Sequence, residues 1–118
     1  LRLLRIQQAP SCQDPIQCTL IHETLHQLLP PFEAISYTWA DESGDSLKKA
    51  TISIDSRVFG VTLNCERALR RVRLRTQSRL VWIDAICINQ DSDAEKTHQV
   101  QLMAQIYARA KRVLIYIG

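Results

Sequence analysis

Leu80-Val-Trp-Ile83 is an unbroken apolar run that closes on Asp84 and passes into Ala85-Ile-Cys-Ile-Asn-Gln90. A short run with no polar residue suits a strand covered on both faces, since a strand with one wet side alternates. Two more such runs flank it. Phe32–Trp39 (FEAISYTW) is rich in aromatic and β-branched residues, and Val113–Ile117 reads VLIYI. Between the first two runs, Cys65, Ala68, Leu69 and Val72 fall at i, i+3, i+4 and i+7, which predicts a helix over 64–75 with Thr62 or Asn64 as N-cap. Between the last two, Val100, Met103, Tyr107 and Ala110 mark a stripe that Leu102 and Ile106 widen, predicting a helix over 94–110. Ser92-Asp-Ala-Glu95 fits a capping box at its start, with Ser92 as N-cap and Glu95 at N3, and Arg109, Lys111 and Arg112 suit the dipole at its end. Strands at 32–39, 80–84 and 113–117 with helices between them describe two consecutive crossover units.

Crossover units build a parallel sheet with helices on its faces. The remaining segments read as additions to it. Leu1–Ile6 alternates weakly, as an edge strand does, and Ile16–His22 is a second strand beyond the loop at Pro10 and Pro15. Pro30-Pro31 blocks any helix before the first core run, and Asp41–Asp45 (DESGD) is a polar loop. Residues 51–54 and 58–61 flank the turn Asp55-Ser-Arg57 as a hairpin. The expected fold is thus α/β, a parallel sheet flanked by helices with an N-terminal β extension and a β-hairpin insertion.

With 118 residues the chain has room for one domain, spanning 1–118, and a composition of 46% hydrophobic and 23% charged residues argues against disorder. No apolar run approaches the roughly 20 residues of a membrane span. Leu1–Ile6 is too short and too charged for a signal peptide, and Met103 is the only methionine, so the chain reads as an excerpt of a longer soluble protein. The net charge is +3, yet Glu66–Arg79 holds six arginines and one acid, a local +5. One basic segment makes a solvated helix face a better reading than a nucleic-acid surface, which draws on several segments.

Glycines at 44, 60 and 118 only leave no P-loop, no GxGxxG and no GxSxG elbow. Cys12, Cys18, His22 and His26 spell C-x5-C-x3-H-x3-H, but the first gap is too long for a zinc finger and the segment is extended, not helical. Reduced thiols of a cytosolic protein are the simpler account of all four cysteines, and no metal is expected.

Ligands of open parallel sheets sit beyond the carboxyl ends of the strands. Three segments project there: Trp39–Asp45, with Asp41 and Asp45, after the first core strand, Asp84–Asp91, with Asp84, Asn89, Gln90 and Asp91, after the second, and whatever follows Gly118. Asp84 either positions a ligand or binds amides of its own loop. Trp39 and Trp82 serve as core or as pocket wall. Cys87 with His98 as base lacks an activating third group, so a small buried thiol is the better reading. Glu95 is accounted for by its capping role.

Glu33-Ala-Ile-Ser-Tyr-Thr-Trp39 with Asp41 resembles the first signature block of the fungal heterokaryon-incompatibility (HET) domain family. Leu80–Gln90 with Glu95, Lys96, Gln99-Val100, Met103, Ile106-Tyr107, Ala110 and Gly118 resembles the second block nearly residue for residue, and the 52–69 stretch resembles the spacer. Ala40 departs from the family's usual glycine, and a third, Trp-x-x-Gln-Glu-like block is expected downstream. The resemblance implies a cytoplasmic, cell-death-inducing signalling module of non-self recognition that self-associates or binds other incompatibility proteins. It implies distant kinship with the Toll/interleukin-1-receptor (TIR) fold, and with it an alternative: an NAD-cleaving hydrolase active only in the longer protein, its glutamate beyond residue 118 and NAD a substrate, not a cofactor. On this reading Ser36, Tyr37, Trp39, Asp41, Trp82, Asp84, Cys87, Asn89 and Gln90 form the signature loops or part of a nucleotide pocket.

Overall fold

The structure, a computed structural model, describes residues 2–23, 30–37, 50–87 and 93–116, the side chains at 93–96, 98–100 and 102 excepted. Its elements in chain order are β1 (Arg2–Ile6), β2 (Gln17–His22), β3 (Glu33–Tyr37), β4 (Ala50–Ile54), β5 (Arg57–Val61), α1 (Leu63–Val72), β6 (Arg79–Trp82), α2 (Asp84–Cys87), α3 (Asp93–Arg109) and β7 (Arg112–Tyr116). The described strands form one sheet of seven in the order β5-β4-β2-β1-β6-β3-β7.

The sheet is mixed, and this overturns the expected parallel sheet flanked by helices. β1 runs antiparallel to both β2 and β6, and β4 antiparallel to β5. Parallel pairing is confined to β3 with β6 and β7, and to a short contact of β2 with β4. The N-terminal strands are therefore no extension: they bridge the sheet's two halves. The hairpin is likewise no insertion but the continuation of the sheet beyond β2. The TIR-like architecture that the family resemblance implied, a parallel sheet flanked by helices, is not the one observed.

The misreading of β1 has a physical cause. Leu3 and Leu4 are adjacent, so they point to opposite faces, and both are fully buried. Weak alternation here marks a strand covered on both sides, not an edge. Ala34 with Ile35 and Val81 with Trp82 are buried in the same adjacent fashion. The core runs through β1, β6 and β3, and the exposed apolar residues lie on the outermost strands: Val58 and Phe59 on β5, Val113 and Ile115 on β7.

Local signals act as chemistry requires. Thr62, not Asn64, caps α1, its Oγ1 accepting the Cys65 amide at 3.1 Å. The helix buries Asn64, Cys65, Ala68, Leu69 and Val72, packing against β3 and β4, and ends where Arg73 turns extended. Where a loop was expected after Ile83, a single helical turn forms: the Ile83 carbonyl accepts the amides of Ile86 and Cys87, and Asp84 occupies the first turn, where a negative charge is favoured. α3 seats Ile106 in the core. The capping box of Ser92 and Glu95 lies outside the described residues and side chains. No described helix is long and apolar enough to cross a membrane.

Candidate functional site

β3 and β6 are parallel neighbours, with Glu33 opposite Val81 and Ala34 opposite Trp82, so Tyr37 and Asp84 both lie toward the same end of the sheet. Side chains alternate along a strand, which divides the signature residues between two faces. Trp82 shares a face with Ala34 and Ser36, and Tyr37 shares the other with Ile35 and Val81.

On the Tyr37 face, the hydroxyl meets the Cys65 thiol and the Thr62 hydroxyl at the start of α1. Burial, then the proximity of Cys65 and Asp84, pushes this hydroxyl well above the usual tyrosine range. Burial likewise pushes Cys65 up to about 12, against the hydrogen bond from Tyr37 that favours its thiolate. On the other face, Trp82 is fully buried and meets Tyr107 edge to face, ring centroids 5.6 Å apart at 77°. Its indole Nε1 finds no hydrogen-bond partner among the described residues. Desolvation raises the Tyr107 hydroxyl, with Asp84 contributing. Asp84 thus acts electrostatically on both faces: its charge is felt at Tyr37, Cys65, Cys87 and Tyr107.

Cys87 has no exposed surface; its sulfur accepts the Ile83 amide at 3.4 Å, and its carbonyl accepts Arg2 Nε at 3.2 Å. Burial pushes its thiol up to about 12, and Cys18 is raised as far by the same cause. A thiol so raised is protonated at neutral pH and is no nucleophile. The structure therefore brings Tyr37, Asp84 and Cys87 into one electrostatic neighbourhood, sets Trp82 against Tyr107, and places Ser36 on the Trp82 face. Trp39, Asp41, Asn89 and Gln90 lie outside the described residues. No group of three metal-ligating side chains occurs among the described residues. Within the zinc-like spacing, Cys18 and His22 are four positions apart on β2, about 13 Å at the rise of a strand, too far to share an ion.

Two clusters escaped the sequence reading. Glu33, Arg79 and Arg112 stand at the amino ends of β3, β6 and β7, which are adjacent and parallel. Arg79 grips Glu33 with Nε on Oε1 at 2.7 Å and Nη2 on Oε2 at 2.9 Å, while its Nη1 donates to the Val72 carbonyl at 2.7 Å. Arg112 adds Nε on Oε2 at 3.0 Å. The hydrogen bond from Arg79, with the charges of both arginines, holds the Glu33 carboxyl below the usual glutamate range. Each of these strands opens on a charged residue, but only the strand order reveals that the three charges meet.

The second cluster accounts for two of the six arginines in the run, as the first accounts for Arg79. Arg73 is buried and donates to the carbonyls of Ser11, Asp14 and Pro15, and Arg70 to those of Cys12 and Asp14. Together they pin the loop between β1 and β2. Arg70, Arg73 and Arg79 are thus committed internally, leaving Arg67, Arg71 and Arg75 exposed.

Residues 32–118 match the family described as heterokaryon incompatibility protein (HET). The chain is also 35% identical over 132 aligned positions to heterokaryon incompatibility protein 6, OR allele, of Neurospora crassa, an alignment covering 100% of this chain and 18% of that protein. The chain therefore spans less than a fifth of this relative's length. No solved structure matches it.

Proposed function

Because the chain belongs to the heterokaryon incompatibility (HET) family, we propose that it is the incompatibility domain of a fungal cytoplasmic protein, a signalling module that triggers cell death in non-self recognition by associating with a like domain or another incompatibility protein. The observation that carries this reading is the family match over 32–118, which takes in Glu33, Tyr37, Trp82 and Asp84 together. The chemistry of the described site supports action by contact. Its thiols, Cys65 and Cys87, are held protonated and its tyrosine hydroxyls are pushed up, so none of these groups is poised as a nucleophile. The NAD-cleaving alternative came with the TIR kinship that the family resemblance implied, and the mixed sheet does not reproduce the parallel one of that fold.

The test is induced expression, in fungal hyphae, of the protein that carries this chain, with viability scored by uptake of a membrane-impermeant dye. Death on induction is expected, with survival when Trp82→Ala removes the central ring. Hyphae that keep growing while folded wild-type protein accumulates would overturn the proposal.

A further inference from the structure

Backbone hydrogen bonding fixes which groups of β5 are unused. The amides of Ser53 and Asp55 point toward β2, donating to the carbonyls of Ile16 and Cys18 at 3.0 Å each. Backbone groups alternate in direction along a strand, so Ala50, Ile52 and Ile54 turn toward β5, where they face Val61, Phe59 and Arg57. Val58 and Gly60 then present their N–H and C=O groups outward, and no described strand lies beyond them. The Val58 side chain is 81% exposed and Phe59 37% exposed. Phe59 also lines an open hollow of about 540 Å³ with Leu20, Ile54, Ile86 and the charged Asp55 and Arg57. Edges usually carry charge or proline as protection. The one charge on this strand, Arg57, stands at its first position.

We propose that β5 is a dimerisation edge, at which two copies of this chain pair β5 with β5, antiparallel, about a twofold axis at Phe59. In that register Val58 of each copy faces Gly60 of the other, so both outward residues exchange N–H···O=C bonds in each direction. The exposed Val58 side chain lies over a residue that has none, which relieves the crowding of two flush edges. The two Phe59 residues stand in the non-hydrogen-bonded position, about 4.5 Å between Cα atoms, where aromatic cross-strand pairs stabilise a sheet. An axis at Val58 would set valine against valine and waste Gly60 on Ser56, whereas an axis at Gly60 would set Val58 against Thr62. Only the Phe59 axis matches the outward residues to each other. A five-residue edge falls below the roughly 1,200 Å² at which complexes become stable, so the dimer is weak and forms where copies are concentrated. This inference rests on the self-association arm of the proposed function and gives it a surface.

Sedimentation equilibrium of the chain from about 1 μM to about 1 mM tests it. A monomer–dimer equilibrium is expected, weakened about tenfold or more by Val58→Lys and unchanged by Thr19→Lys, which adds the same charge at an exposed position on β2, two strands in from the edge. Phe59→Cys in a Cys12→Ser background is expected to form a disulfide-linked dimer under mild oxidation, because the Cα spacing lies within disulfide range. A dimer untouched by Val58→Lys, or abolished instead by Ile115→Lys on the opposite edge, overturns the β5 edge and leaves self-association standing. A monomer at every concentration overturns both, leaving binding to a different protein as the route of action.

Discussion

Glu33 shows how much one carboxylate can hold when three strands converge on it. It is 13% exposed and takes three charge-assisted bonds from Arg79 and Arg112. Glu33→Ala leaves Arg79 half-buried beside its missing partner and is expected to cost roughly 2–3 kcal/mol in urea unfolding at neutral pH. The carboxyl is held below its ordinary value in the folded chain. Its contribution is therefore complete above the unfolded glutamate value of about 4.3 and is lost as pH falls through the lower folded value. Glu33→Gln is expected to flatten that acid limb of stability; a variant that loses stability in acid as steeply as wild type would refute the assignment. Ser56 offers the opposite case. With φ of 65° after Asp55 at 51°, the two-residue turn between β4 and β5 requires left-handed backbone that glycine adopts more easily. Asp55 is anchored there, its Oδ1 accepting the Leu20 amide at 3.3 Å. Ser56→Gly is expected to raise stability by about 0.5–1 kcal/mol, read from the urea midpoint.

At the scale of elements, α1 is tied to the loop before β2 through arginine, and the planar guanidinium is essential to that tie. Arg73 reaches three carbonyls from one side chain. Arg73→Lys keeps the charge but cannot span them, so limited proteolysis is expected to cut the 11–15 segment several times faster in Arg73→Lys than in wild type, and no more slowly than in Arg73→Ala. Equal cutting of all three would assign the loop's order to other contacts. The elements themselves were legible because their causes are local. The stripe Cys65-Ala68-Leu69-Val72 lies within one helix, and the continuous runs at Leu80–Ile83 and Val113–Ile117 mark strands, although the second forms the outermost strand β7 with Val113 and Ile115 exposed, not the buried strand its composition suggests. What each strand pairs with was not legible, because the partner of β1 is decided by β6, more than seventy residues on. The same applies to the site. Tyr37, Trp82 and Asp84 stood out through their motif, whereas Thr62, Cys65 and Tyr107 join them only through packing, and each reads in sequence as an ordinary cap or core position.

At the scale of the molecule, four free cysteines divide sharply by burial. Cys12 is exposed, while Cys18, Cys65 and Cys87 are enclosed. Burial also pushes those three up to about 12. In the native protein a thiol-reactive dye is expected to label one site rapidly, and the remaining three only on unfolding. Fast native labelling of two or more sites would mean that the core opens far more readily than this packing allows.

The position of β1 has a consequence for anyone who would excise the domain. The family match begins at residue 32, after β1 and β2. A fragment cut there would keep β6-β3-β7 but lose the strand that covers β6, and the β4–β5 hairpin would lose β2, its strand link to the sheet, and keep only its packing against α1. The boundary that similarity draws at residue 32 would therefore split one hydrogen-bonded sheet into two parts joined only by packing on α1, and a fragment begun there is a candidate for aggregation through newly bared edges.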